Sequence, residues 1–293
     1  MKKRKLTPLT IALGLALVGN AYAANIVDGT LINSSTSFDE DTVYTVAAGS
    51  TTVASNSTDV PVVITIAEGK TLTLENTFAN TQSKVIDASS KSGMVFEGGN
   101  VILRRDDTGS DKATEQYFIR ATDGQILFGG PAPQIIGGVE FKNASTKMEG
   151  TIAQGIYVMG ATSFTEGFDM TLNRSDAAIT TPENTTGVHL EGGMIAGAKD
   201  VAMRGIWVEA GGDMQAGSLD LDLDANNNSV ISQTLTGLVV SSTTAGKAAF
   251  LVTGDVNISI KNAKNKDVVV RGMALSSDRD YSFGGTTNIE IAN

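Results

Sequence analysis

The sequence predicts an all-β protein, a parallel β-helix, on three observations. Short strands alternating apolar and polar residues recur along the chain, turn residues separate them, and no long segment places apolar residues at i, i+3, i+4 and i+7. The abundant Gly, Thr, Asn and Ser disfavour helix. The third observation is the repeat. A sandwich shows turn signals about every 8–12 residues without a recurring strand pair. Stacked coils instead return the same strand to the same place, with inward Val, Ile and Leu and outward Thr, Ser, Asp and Lys.

Residues 1–23 carry Lys2, Lys3, Arg4 and Lys5, then an apolar run from Leu9 to Gly19, then Ala21-Tyr22-Ala23. Basic, apolar and small-residue parts in that order form a secretory signal. An apolar run of about 11 residues is well short of the roughly 20 a spanning helix needs, and Asn20 ends it. Cleavage is expected between Ala23 and Ala24, which divides the chain into a signal peptide (1–23) and a repeat domain (24–293). No cysteine follows for a lipid anchor, and no later segment reads as a transmembrane helix.

Near the start of the repeat domain, Gly29, Gly49 and Gly69 lie 20 residues apart, each heading a strand. The form returns at 98–103, 123–128 and 137–141, and Gly at a strand head suits a tight corner with positive φ. Coils of about 20 residues would give roughly 13 coils and a rod on the order of 60 Å. In the second half two elements alternate. Gly followed by an apolar strand occurs at 155–158, 187–190, 205–208, 237–240 and 272–275. A strictly alternating strand ending in Asn occurs at 168–173, 219–226, 256–262 and 288–293. In 256–262, Val256, Ile258 and Ile260 should point inward and Asn257, Ser259 and Lys261 outward.

Composition narrows the function classes. The signal removes four of 22 cations and none of 32 acids, leaving 18 against 32 and a net charge of −14. Such a field repels phosphate, which excludes nucleic acid as a partner. With no cysteine, disulfides, iron–sulfur clusters, thiolate zinc and cysteine nucleophiles are excluded, and the single histidine excludes His-rich metal sites. At 5% aromatics, the core is expected to be Val, Ile, Leu, Ala and Met.

A signal peptide leading into repeats such as Ile-Thr-Ile-Ala-Glu-Gly-Lys-Thr-Leu-Thr-Leu-Glu-Asn (64–76) and Gly-Met-Val-Phe-Glu-Gly-Gly-Asn-Val-Ile-Leu (93–103) resembles the passenger domain of Gram-negative autotransporters, the type V secreted proteins. The resemblance implies a right-handed β-helix, display at the cell surface or outer membrane, a C-terminal translocator barrel as partner, and adhesion to host cells or glycans. It extends in style over residues 1–293. The barrel strands and their aromatic girdles are missing, and the chain ends within the repeat at 288–293, so the reading is of a fragment or truncated product. Without a barrel supplied elsewhere the product would stay in the periplasm.

Several residues are candidates for chemistry. His189, in Gly-Val-His-Leu, is the one histidine available to a Ser-His-Asp triad, but no Gly-Asp-Ser-Gly or Gly-x-Ser-x-Gly motif accompanies it, and it reads as an ordinary strand residue. Asp220, Asp222 and Asp224 alternate with leucines and share one outward face. They are candidates for calcium, though one straight strand cannot converge enough oxygens, and a solvated face is the simpler reading. The Asp106–Asp107 pair lies in Arg-Arg-Asp-Asp-Thr-Gly-Ser-Asp-Lys (104–112), read as an exposed loop. Asn33, Asn76, Asn173, Asn226, Asn262 and Asn293 suit either an amide ladder or turns. Tyr157 and Trp207, at equivalent places in Gly-Ile-Tyr-Val and Gly-Ile-Trp-Val, should face outward together and are the candidate ligand contacts. The expectation is a non-catalytic display or adhesion rod without cofactor or metal. A carbohydrate-active β-helix enzyme, lyase or hydrolase, and a structural spacer are the alternatives.

Overall fold

In a computed structural model, residues 24–46, 50–56, 60–76, 82–89, 93–108, 115–122, 124–129, 134–141, 151–159, 178–180, 185–194, 200–209, 212–224, 232–241, 249–261, 268–276 and 280–292 are described. The Ala21 and Ala23 cleavage positions, and the Asn residues at 173, 226, 262 and 293, lie outside them. The described residues form strands throughout. In chain order these are β1 (Asn25–Gly29), β2 (Thr36–Phe38), β3 (Thr42–Val46), β4 (Thr52–Ser55), β5 (Val62–Asn76), β6 (Gln82–Ala88), β7 (Met94–Thr108), β8 (Glu115–Ala121), β9 (Gln125–Phe128), β10 (Gln134–Phe141) and β11 (Thr151–Met159). There follow β12 (Ala178–Thr180), β13 (Thr185–Met194), β14 (Asp200–Glu209), β15 (Asp213–Ala216), β16 (Ser218–Asp224), β17 (Ser232–Val240), β18 (Ala249–Val252), β19 (Val256–Lys261), β20 (Val268–Leu275), β21 (Asp280–Phe283) and β22 (Thr287–Ala292).

Every named pair is parallel and joins strands of successive coils, which makes the chain a β-solenoid. One sheet has seven strands in the order β20-β17-β14-β11-β8-β6-β4, and the other has 15. The larger sheet divides at β5 and β7. Their first halves continue the ladder of β9, and β7's second half pairs with β10. A coil therefore has three faces, here called first (β2, β9, β12, β15, β18, β21), second (β1, β3, β10, β13, β16, β19, β22) and third (the seven-stranded sheet). The corner between first and second faces runs through β5 and β7, where the register shifts between Ile66 and Thr71. Gly69 (φ 71°) and Gly98 (φ 92°) adopt the left-handed backbone there. At Gly98 a Cβ would collide with the Ile66 carbonyl oxygen.

The coil is longer than the glycine spacing suggested. Down the third face, Ala54 pairs with Ile86, Ile86 with Ile119, Ile119 with Ile156, Ile156 with Ile206, Ile206 with Leu238 and Leu238 with Met273. The steps are 32, 33, 37, 50, 32 and 35 residues. A 20-residue interval near the start counted corners as if they were coils. The ladder β1-β3-β5-β7-β10-β13-β16-β19-β22 is the deepest, so the rod is about 40 Å long rather than 60 Å.

Alternation builds the core as expected. Leu219, Leu221 and Leu223 are fully buried on β16, and Val256, Ile258 and Ile260 are buried on β19 with Asn257 and Lys261 exposed and Ser259 half-exposed. The aliphatic-only expectation needs correcting. Phe96, Phe118, Phe128 and Phe250 are among the largest fully buried side chains, and Phe96 stacks on its register partner Phe128 at 4.9 Å and 14°. Parallel coils place identical positions above one another, so a few rings suffice to form a stack.

The two ends differ. At the first coil the Tyr44 hydroxyl donates to the Thr30 carbonyl (2.7 Å), Phe38 meets Tyr44 edge-on at 5.9 Å, and Gly29 leaves room for the Tyr44 ring. On β22, Ile289 and Ile291 are 47% and 48% exposed, although they continue the inward columns of Ile258 and Ile260. Among the described residues no helix is long and apolar enough to cross a membrane.

Candidate functional site

Two columns of register partners run down the third face. One runs Thr52–Lys84–Tyr117–Gln154–Arg204–Thr236–Arg271, the other Ser55–Asp87–Arg120–Tyr157–Trp207–Val239–Ala274. Tyr157 and Trp207, singled out from sequence, are direct register partners on β11 and β14. Ile206 and Val208 are buried on either side of Trp207, which is itself half-buried, so the tryptophan faces outward as alternation requires.

Trp207 is held by neighbours that the repeat did not reveal. Its indole N–H donates to Ser241 Oγ at 2.8 Å, and the Arg204 guanidinium lies over the ring, 4.2 Å from its centre. Arg204 and Trp207 are three apart, an odd interval that strict period two would send to opposite sides. The strand departs from alternation at Gly205, where Gly205 and Ile206 are both buried. Gly205, Gly237 and Gly272 form one column without positive φ. A Cβ on Gly237 would stand 2.5 Å from Ile258 Cγ2, and one on Gly272 2.5 Å from Ile289 Cγ2. These glycines serve the close approach of the second face, not a corner.

Two and three coils away, on β8 and β6, a charged group occupies the same columns. Lys84 Nζ lies 2.8 Å from Asp87 Oδ2, and Arg120 Nη1 lies 3.9 Å from Asp87 Oδ1. Arg120 also reaches over Tyr117, 5.8 Å from the ring centre. One carboxylate between two cations leaves a surplus positive charge.

The second face carries the aspartates and the histidine. Asp220 is exposed, and Asp222 pairs with Lys261 Nζ at 2.9 Å. Partial desolvation of its carboxyl raises the Asp220 pKa, the Asp222 charge raises it further, and Lys261 partly offsets both. Asp224 is the register partner of Lys261 and of Glu191. Among the described residues no three His, Cys, Asp or Glu side chains are grouped to hold a metal. His189 belongs to this face, in the column His189–Asp222–Ser259–Glu290, and is not an equivalent of Trp207. The interval of 18 residues between Gly187 and Gly205 is thus a step between faces. Though His, Asp and Ser share a column, the aspartate is in the middle. Ser259 stands two ladder steps, roughly 10 Å, from the histidine position, beyond the reach of a general base.

The amide ladder exists at a place not foreseen. Asn288 Nδ2 donates to Asn257 Oδ1 at 2.9 Å between register partners. Asn76 is instead a buried corner clamp, donating to the Lys84 carbonyl (2.8 Å) and the Thr51 carbonyl (3.3 Å), while Asn33 is exposed. No family model, curated protein or solved structure matches this chain.

Proposed function

We propose that the chain is exported by its N-terminal signal and works as a non-catalytic binding rod of autotransporter-passenger type, displayed at a bacterial surface by a translocator barrel and engaging glycans through its third face. One observation carries the reading. Tyr157 and Trp207 are register partners on the third face, with Arg204 stacked on the tryptophan. Aromatic and guanidinium groups together offer a sugar both an apolar platform and charged donors. Turnover calls for an enclosed pocket that excludes water from the reacting bond, whereas a sheet face with repeated positions suits many weak contacts.

The mature chain beginning at Ala24, coated densely on beads, should bind a subset of a glycan array, and Trp207→Ala should reduce that binding at least fivefold without release of reducing sugar. Loss of binding on every glycan would sink the reading. A carbohydrate-active enzyme is the second reading, favoured by the raised pKa of Asp220 beside Asp222, carboxylates about 6–7 Å apart along one strand. Turnover abolished by Asp220→Asn or Asp222→Asn would establish that alternative.

A further inference from the structure

We propose that the C-terminal end of the solenoid is a docking surface for the same end of a second copy, giving a closed tail-to-tail dimer. The first ground is an unfinished edge. β20, β21 and β22 each stand last in their ladder, so among the described residues one backbone edge of all three meets no further strand. The side chains along that edge are apolar. Ile289 and Ile291 continue the buried columns of Ile258 and Ile260, Tyr281 that of Phe250 and Phe283 that of Val252. Tyr281 is nevertheless 41% exposed, much like the two isoleucines. An apolar strand edge of this kind pairs with another strand unless something covers it.

The second ground is the shape of the occupant. It must present strand edges on three sides of an apolar centre, which a single extended peptide does not. The opposite end of this chain does not offer them either. There Ile32 is only 6% exposed, the Tyr44 ring fills the space that Gly29 leaves, and the third face is represented by one isolated bridge, Ile32 to Ala54. Head-to-tail stacking therefore lacks a matching surface, and it would run on into an open filament. The C-terminal end of a second copy supplies all three edges and closes after two chains.

The third ground is register. A two-fold axis normal to the second face at Ile289 sets β22 antiparallel to its counterpart. Ile289 then meets Ile289 and Thr287 meets Ile291 on the inward side, while outside the Asn288 amide faces the Glu290 carboxylate of the other copy. Asn288 uses one N–H on Asn257 and has a second for that carboxylate. Centring the axis on Glu290 instead would oppose two carboxylates directly, which is destabilising. The same axis lays β20 of each copy along the β21 side of the other. The described part of the last coil brings on the order of 20 residues, the lower end of what a stable interface uses on each side.

The dimer concerns the chain from Ala24 with no barrel on its C-terminal end, and the glycan reading stands or falls separately. Sedimentation velocity should show a dimer that dissociates on dilution and no larger species up to about 100 μM. Ile289→Asp should leave a monomer over the same range with an unchanged β-sheet circular dichroism spectrum, whereas Ile26→Asp, at an exposed position on the first coil, should leave the dimer intact. The chain contains no cysteine, so an introduced one is its sole thiol. Ile289→Cys should crosslink two chains under mild oxidation, because the axis sets the two side chains opposite each other with Cβ atoms about 4.5–5.5 Å apart. Ile26→Cys should not. A monomer at every concentration, or crosslinking equally fast at positions 26 and 289, would overturn the proposal. Mass rising beyond two chains would overturn the closed two-fold arrangement.

Discussion

Gly237→Ala separates two reasons for a glycine. The backbone at Gly237 is not in the left-handed region, so by chain entropy alone alanine would stabilise the fold by about 0.4–1 kcal/mol. The tertiary contacts predict the reverse. The new Cβ would meet Ile258 Cγ2 at 2.5 Å and the Gly272 carbonyl oxygen at 2.7 Å, and the second of these is backbone held in the ladder of β17 and β20. Overpacking of this kind costs about 1–3 kcal/mol, or about 2–10 °C of melting temperature for a chain of this size. Thermal and urea unfolding would be followed by circular dichroism for Gly237→Ala, Ile258→Ala and the double variant. Ile258→Ala alone should cost about 2–5 kcal/mol. In its background the cost of Gly237→Ala should fall by about 1 kcal/mol, leaving the part due to Gly272. Gly69→Ala is the contrast, because its φ of 71° with nothing within 4 Å makes its penalty one of backbone strain, independent of Ile258. A Gly237→Ala protein as stable as the parent, or a coupling near zero, would refute the close-approach argument.

Two further outcomes follow from buried and charged groups. Asp220 has a folded-state pKa above its unfolded value, so its ionisation opposes folding, and the stability lost at neutral pH returns as pH falls through the folded pKa. Asp220→Asn should therefore raise the urea midpoint at pH 7, with the advantage shrinking as the pH falls through the folded-state pKa, and an advantage that grows toward acid would contradict the shift. Asn76→Ala removes two donated hydrogen bonds at a buried corner and should cost about 1–3 kcal/mol in thermal unfolding. Asn76→Asp, which sets a carboxylate oxygen against two carbonyls, should cost more, and a smaller loss than that of alanine would count against the clamp.

Local chemistry makes much of this legible in the sequence. Alternation is a property of the pleated backbone, so Val256, Ile258 and Ile260 could be assigned inward, and Trp207 outward, from a few neighbouring residues. The left-handed glycines of the early corners were legible for the same reason, at Gly69 and Gly98. The register partnership of Tyr157 and Trp207 also followed from matching short motifs.

What the tertiary structure alone decided is which strands stack on which. Coil length depends on pairing across 32 to 50 residues, and a strand at a corner looks in sequence like a strand at the start of a coil. That ambiguity produced the 20-residue coil and the misplacement of His189, which stacks on Asp222 and not in the column of Trp207. The Phe96–Phe128 stack, the Asn257–Asn288 step and the Asp87 group all join residues of different coils, so each exists only once the register is set. Arg204 reaches Trp207 because β14 departs from period two where the second face presses in, and Leu221 Cδ1 and Leu223 Cδ1 lie 3.5 Å from the Cβ that Gly205 lacks. Sequence determines the side of the sheet on which a residue stands; stacking determines what stands beside it, because neighbours within a solenoid are chosen by the closure of a whole coil.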